Sequence, residues 1–127
     1  MADSNAPVWL PAYLAFRSRF AAALDPRLYD LDHLDALVAS GRGLLFHTEA
    51  AAIVAELRTY PSGARVVHGL VAAGALDDIV ETLIPAAEAW GRSRGCAAAI
   101  IESRPGWARL LKTHGYAAHQ TAVWKDL

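Results

Sequence analysis

The spacing of the apolar residues changes along this chain, and that change constrains its fold more than any other feature. Over residues 9–24 large apolar side chains recur every three or four residues, as on one face of a helix. Leucines repeat every third residue over residues 28–37 and predict a second helix. Residues 43–47, 51–59 and 65–71 are instead short apolar stretches separated by turn residues. The first half therefore predicts two helices followed by three strands.

The helical spacing returns over residues 76–90, where Pro85 must kink or restart the helix because it has no backbone N–H. Residues 96–101 are continuously apolar, like a buried parallel strand, and a short helix is expected before Gly115. Residues 119–126 alternate as a strand does. The predicted order is α-α-β-β-β-α-β-α-β, an α/β fold whose mixed sheet has one parallel crossover and is otherwise antiparallel.

Composition limits the class of protein. The 127 residues suit one domain over residues 1–127, and 54% hydrophobic residues exclude a disordered chain. The single cysteine, Cys96, cannot form an internal disulfide or a thiolate zinc cage. The longest apolar runs are far shorter than the ~20 residues that span a bilayer, and the amino end lacks a leader pattern. We therefore expect a cytoplasmic protein with no membrane contact.

Charge is distributed unevenly. Residues 1–89 contain 6 basic and 11 acidic side chains and residues 90–127 contain 6 and 2, so the two parts carry −5 and +4. Such asymmetry is compatible with self-association, and a homodimer is one expectation. A nucleic-acid contact is the weaker alternative because aromatic residues do not interleave with the basic ones, so no nucleic-acid partner is expected. Its candidate contacts are Arg92, Arg94, Arg104, Arg109 and Lys112.

The order of elements, with residues 86–96, 102–107 and Gly115-Tyr116, resembles the GNAT acyltransferase family from about residue 28 to residue 127. The stretch 104–107, Arg-Pro-Gly-Trp, and the terminal Lys-Asp-Leu further resemble small GNAT-like proteins encoded among phage, prophage and gene-transfer-agent genes. The resemblance implies a GNAT-like mixed sheet and, in active members, acyl transfer from acetyl-CoA to an amine.

The chain departs from the family's pattern where the coenzyme A diphosphate is bound. Family members use a glycine-rich loop with Arg or Gln before a helix, whereas residues 72–78 contain only Gly74 and place Asp77 and Asp78 in the first helical turn. At about 6 Å each carboxylate–phosphate pair would cost roughly 0.7–3 kcal/mol. In many family members a Tyr protonates the departing thiolate, and the resemblance places Leu111, which cannot donate a proton, at that position. Tyr116 is expected to pack in the core.

Two functional hypotheses follow. The first, which these departures favour, is a GNAT-like domain without acetyl-CoA-dependent activity and without a cofactor. It would act as a binding or assembly module for a protein partner, with a virion as the alternative location to the cytoplasm. Trp107, Arg104 and Arg109 are its candidate contacts, since a tryptophan beside a glycine at a helix start can anchor a partner.

The second hypothesis is a divergent acyl-CoA-dependent N-acetyltransferase. Leu70, Ala72 and Gly74 would then hold acetyl-CoA, and His68 or Glu102 would deprotonate the amine. A histidine on an apolar strand is more often a packed core residue, and a salt bridge also explains a carboxylate at a strand end. His47, Glu49 and His68 could form a two-histidine, one-carboxylate metal set, but their spacing is too unspecific, so no metal is expected.

Overall fold

The computed structural model describes residues 7–102 and 106–127. Arg104, one of the candidate partner contacts, lies outside the described residues. The elements in chain order are α1 (Leu10–Ala23), α2 (Leu31–Ala39), β1 (Gly43–His47), β2 (Ala51–Thr59), β3 (Arg65–Gly74), α3 (Leu76–Asp78), a π-helix (Ile79–Leu83), α4 (Ile84–Ser93), β4 (Ala98–Ile101), α5 (Gly106–Leu110) and a 3-10 turn (Lys112–His114).

The four strands form one mixed sheet in the order β1-β2-β3-β4. The β1–β2 and β2–β3 pairs are antiparallel, and β3 pairs with β4 in parallel, with Val66 opposite Ala98 and Gly69 opposite Ile101. This confirms the α/β fold class and the single parallel crossover. The connection from β3 to β4 passes through the continuous helical residues of α3, the π-helix and α4.

One predicted strand is not formed. Residues 119–126 contain no strand, and the whole segment from residue 117 to residue 127 is exposed. Alternation of apolar and polar residues shows that a segment can pair, but pairing also needs a free strand edge and a buried face. Residues 117–127 therefore contribute no strand to the sheet.

Each face of the sheet is covered by a separate hydrophobic core. On one face α1 and α2 pack against Ala52 and Val54 of β2. On the other face the π-helix and α4 pack against Ile53 and Ala55. The alternation of neighbouring β2 residues between the two cores is the two-residue period of a strand that is buried on both sides.

Local sequence explains where the helices begin and change. The Asp30 side chain accepts a hydrogen bond from the His33 N–H at 2.8 Å and caps α2. Pro85 lies in the first turn of α4, and just before it the N–H of Ile84 donates to Ile79 O, five residues back. The proline thus restarts the helix through a π-helical segment, as its missing N–H predicts. Among the described residues, no helix has the length and apolar character needed to cross a membrane.

Candidate functional site

A cleft opens where β3 and β4 part. Their pairing ends at Gly69 and Ile101, while β3 continues to Gly74. The cleft has a volume of about 790 Å³, within the usual range of small-molecule sites. It is bounded by residues 22–29, at the end of α1 and in the α1–α2 connection, by residues 68–72 of β3, and by Ile101, Glu102 and Trp107.

A β-bulge contributes to this divergence. Val54 pairs with Val71, but the next residue of β2, Ala55, pairs with Gly69, so that Leu70 is an extra residue on β3. A bulge bends its strand and increases the local twist. The bend begins one residue beyond the last β3–β4 pair, and the backbone of β3 beyond it borders the cleft.

Four ionisable side chains meet on the α1 side of the sheet, and two of them, His68 and Glu102, line the cleft. Nδ1 of His68 lies 3.3 Å from Oε1 of Glu56, and Nε2 of His68 lies 3.5 Å from Oε1 of Glu102. Arg58 contacts both carboxylates, at 3.0 Å from Glu56 and 3.3 Å from Glu102. We refer to these four residues as the His68 cluster.

His68 is the buried polar residue of this cluster, with 2% of its surface exposed. Burial, followed by the positive charge of Arg58, lowers the pKa of His68 below its ordinary value of 6.5. The imidazole is therefore neutral at pH 7, and its short distances to the two carboxylates are not ion pairs. Within the described chain, neither ring nitrogen has a partner in hydrogen-bonding geometry. His68 consequently keeps unused hydrogen-bonding capacity beside the two carboxylates, and it also lines the cleft.

The pairing register of β2 and β3 determines where the charged groups of the His68 cluster lie. Glu56 and His68 are opposite each other on β2 and β3, and Arg58 is two residues after Glu56 on the same face. Oε1 of Glu56 accepts from Nε of Arg58 at 3.0 Å and is also the oxygen nearest His68. Because the guanidinium occupies Oε1 of Glu56 and of Glu102, these two oxygens are not free to coordinate a metal ion. In the part of the chain that the structure describes, no group of three potential ligands could hold a metal ion.

The three residues assigned to acetyl-CoA lie along the upper part of β3. Leu70 and Ala72 line the cleft, whereas Gly74 is not among its lining residues. Gly74 has φ +100°, and a Cβ there would lie 2.2 Å from the carbonyl oxygen of Ala50. Close approach of the β1–β2 turn thus accounts for the glycine of this loop.

The two aspartates after Gly74 have different surroundings. Asp78 Oδ2 accepts a hydrogen bond from the Thr48 hydroxyl at 2.6 Å, which draws this carboxylate toward the β1–β2 turn. That turn joins β1 to β2, and β2 lies on the opposite side of β3 from β4. Asp77 is exposed in the first turn of α3. Of the two carboxylates at the helix start, Asp78 is therefore hydrogen-bonded and Asp77 is open to solvent.

The remaining predicted residues lie in and around α5. Trp107 is half-buried, packs against the α4-side core and lines the cleft, whereas Arg109 is exposed. Leu111 is 2% exposed and belongs to the same core. The Tyr116 hydroxyl donates to Glu88 at 2.6 Å, and burial raises the pKa of this phenol above its ordinary value. Tyr116 is thus engaged on the α4 side.

Sequence reasoning missed Glu56 and Arg58. Their spacing of two on a predicted strand placed them on one face, which was the available signal. What the sequence did not provide was the β2–β3 register, which sets Glu56 opposite His68. Without it, an alternating Glu-Leu-Arg reads as a solvated strand end.

Solved acetyltransferase structures share this architecture. An aminoglycoside 6'-N-acetyltransferase from Acinetobacter haemolyticus superposes with a TM-score of 0.68 at 16% identity, covering 96% of this chain and 94% of that one. A Trypanosoma brucei acetyltransferase gives 0.64 at 17% identity, with 93% and 92% covered. The chain has the GNAT acetyltransferase fold.

A third GNAT-fold structure, a predicted acetyltransferase from Clostridium acetobutylicum solved with acetyl-CoA, gives a TM-score of 0.64 at 11% identity, covering 94% of this chain and 89% of that one. No protein-family model matches the sequence, and neither does any curated protein. At these identities the likeness concerns the fold.

Proposed function

We propose that this protein transfers an acyl group from an acyl-coenzyme A thioester to an amine. One observation carries the proposal: His68, a buried histidine with two unpartnered nitrogens, lines an open cleft and is flanked by two carboxylates. A packed core histidine normally has its hydrogen bonds satisfied. Unused capacity in a residue that lines a cleft instead favours a group that exchanges protons with a ligand.

The cleft suits the pantetheine arm of coenzyme A. That arm is a narrow chain with two amides, and beyond Gly69 the backbone of β3 has no β4 partner, so its polar groups are available on that side. An extended amide chain can hydrogen-bond to such an edge as an added strand does. Leu70 and Ala72 would hold the arm there.

The diphosphate end is less well accommodated. Asp77 opposes an anion at the helix start, although Asp78 is turned toward Thr48. We therefore expect weak binding of coenzyme A, dominated by the arm rather than by the phosphates. A bound thioester would supply an activated acyl group to this site.

Residues of this chain bind the protonated amine and remove its proton. An amine is protonated at neutral pH and cannot attack until it loses that proton. Glu102, at the mouth of the cleft, attracts the ammonium ion, and Nε2 of neutral His68 accepts its proton. Glu56 and Glu102 then stabilise the imidazolium on both sides, since each lies within 3.5 Å of a ring nitrogen. The neutral amine attacks the thioester carbonyl, the C–S bond breaks, and coenzyme A leaves as a thiolate that takes up the second proton of the amine through solvent.

The test is thiol release from acetyl-CoA with a panel of primary amines, together with a melting shift on adding acetyl-CoA. We expect His68→Ala to lower kcat by about 10²–10⁴ while leaving the acetyl-CoA shift in place. His119→Ala, at an exposed histidine, is the matched control and should keep full activity. Turnover that His68→Ala leaves unchanged would contradict the assignment.

A binding or assembly module is the second candidate, for which the phage-type resemblance suggests a particle as the setting. Asp77 at the helix start and the aliphatic, buried Leu111 both favour it. Trp107 and Arg109 would contact the protein partner. This candidate predicts no melting shift with millimolar acetyl-CoA, where ligand at 1,000 times Kd would stabilise by about 4 kcal/mol.

A further inference from the structure

The cleft presents one excess negative charge to a ligand. Asp25, Arg27 and Glu102 are the charged side chains among its described lining residues. Nε and Nη2 of Arg27 donate to the two oxygens of Asp25 at 3.0 and 2.9 Å, so these two charges cancel. Glu102 belongs to the His68 cluster, in which two carboxylates and one guanidinium surround a neutral imidazole and leave a net charge of −1. Its side chain is 61% exposed, so the cleft attracts a single positive charge there.

The rest of the lining is almost entirely apolar. Among the described residues that line the cleft there is no serine, threonine, asparagine or glutamine. Besides the charged groups and His68, the polar side-chain atoms are the Tyr29 hydroxyl and the Trp107 indole N–H. The free backbone groups of β3 bind the coenzyme A arm in the proposed function. A ligand rich in hydroxyl groups would therefore lose water without finding hydrogen-bond partners.

Apolar surface lies on both sides of the sheet at this cleft. Leu24, which is 8% exposed, is part of the α1-side core. Ile79 and Ile84, which are 4% and 8% exposed, are part of the α4-side core. All three side chains line the cleft. A ligand held by Glu102 thus meets apolar side chains whichever way its body extends, and burial of an apolar body against them is favourable.

We propose that the amine acceptor is a monoamine with an apolar body, an alkylamine or an aralkylamine, a substrate class that rests on the proposed function. One ammonium group matches the excess charge at Glu102, and a hydrocarbon body matches the walls. A second ammonium group would lie against apolar surface, without a free carboxylate in the described lining. A carboxylate on the acceptor would be repelled by the net charge of the His68 cluster. Polyamines, amino sugars and amino acids are therefore poor ligands for this cleft.

The first test is binding to the full chain, measured by the NMR shift of the Trp107 indole N–H at low salt, with and without millimolar coenzyme A. The probes form three pairs of similar size: hexylamine and hexamethylenediamine, cyclohexylamine and glucosamine, phenethylamine and phenylalanine. We expect the first member of each pair to bind about tenfold more tightly or better, and cyclohexylamine about a hundredfold more tightly than glucosamine. Equal or tighter binding of the second members overturns the proposal, as does the absence of any shift with the first members.

A variant of the wall should change the preference. Leu28 lines the cleft and is 59% exposed, so Leu28→Asp adds a carboxylate to the wall without disturbing a core. We expect the affinity for hexamethylenediamine relative to hexylamine to rise about tenfold, because the second ammonium group gains a partner. Leu14→Asp is the matched control, at a leucine of α1 that is 58% exposed and is not among the lining residues, and should leave the ratio unchanged. A ratio that Leu28→Asp does not move overturns the proposal.

Thiol release from acetyl-CoA with the same six probes separates this amine class from the proposed function. Release that depends on His68 and follows the order of binding supports both. Binding in the expected order without thiol release contradicts the proposed function but supports the amine site. Release with hexamethylenediamine or glucosamine as readily as with their apolar counterparts supports acyl transfer and overturns the amine class.

Discussion

Oε1 of Glu56 lies 3.3 Å from Nδ1 of His68, and that same oxygen accepts a hydrogen bond from Nε of Arg58 at 3.0 Å. Arg58 therefore competes with the imidazole for the carboxylate. A carboxylate that faced His68 alone would favour the imidazolium, but the guanidinium neutralises much of that field. The histidine thus remains a neutral acceptor despite its two acidic neighbours.

Stability should depend on pH through His68. Its folded-state pKa is lowered by burial, whereas the unfolded value is near 6.5, so the unfolded chain binds more protons between those two values. The contribution of neutral His68 to the free energy of unfolding is fully present above about pH 6.5 and is lost as pH falls through the folded-state pKa. We expect urea midpoints to fall over this window, and His68→Gln to reduce that fall. His119→Gln, at an exposed histidine, should leave it unchanged.

Arg58→Met should make His68 easier to protonate. The positive charge of Arg58 is one cause of the lowered pKa of His68, and its removal also frees Glu56 and Glu102 to stabilise the imidazolium. The pKa of His68 should therefore rise, as measured by an NMR titration of the imidazole. Arg42→Met, at an exposed arginine outside the cluster, should not move it. An unchanged or lower value in Arg58→Met would refute the competition described above.

Gly74→Ala should destabilise the fold by about 3 kcal/mol. The new Cβ would meet the backbone of Ala50 at 2.2 Å, and φ +100° is unfavourable for alanine. Gly63→Ala separates the two causes: its φ is +88° but nothing lies within 4 Å of the place where its methyl group would be, so we expect a loss of about 1 kcal/mol. Equal losses in urea unfolding would show that the contact with Ala50 is unimportant.

Asp77→Asn should tighten binding of coenzyme A by about threefold or more. One carboxylate–phosphate repulsion at about 6 Å costs at least ~0.7 kcal/mol, which corresponds to that factor. Calorimetry at low salt measures the change, and added salt should diminish it. Glu81→Gln removes an exposed charge later in the same helical run and should change the affinity less. An equal effect of both variants would indicate a general charge effect.

Elements whose stability is local could be predicted closely from the sequence. The four-and-three spacing located the helix whose Tyr13, Phe16 and Phe20 are buried, and the spans 43–47 and 51–59 coincide with β1 and β2. Pro85 predicted a restart because a missing N–H acts wherever the residue lies in a helix. Gly115 has φ +86°, as expected where a helix ends in a left-handed residue.

What depends on contacts distant in sequence was harder to predict. Residues 119–126 alternate correctly, yet a strand forms only against an available edge, and alternation does not reveal which edge that is. His68 and Glu102 were selected separately as candidates, and the parallel register brings them to 3.5 Å. The arginine that modulates the pair, Arg58, could not be chosen without the antiparallel register.

The bulge at Leu70 has a consequence for how this protein tolerates change in length. One extra residue on β3 lies at the junction between the stretch that pairs with β4 and the stretch that borders the cleft. Deleting a single residue there would restore regular pairing with β2 and remove the bend, while every later residue of β3 kept its β2 partner and its face. The opening in the sheet is thus encoded by the number of residues rather than by their chemistry, and shortening this stretch should close it whichever side chains remain.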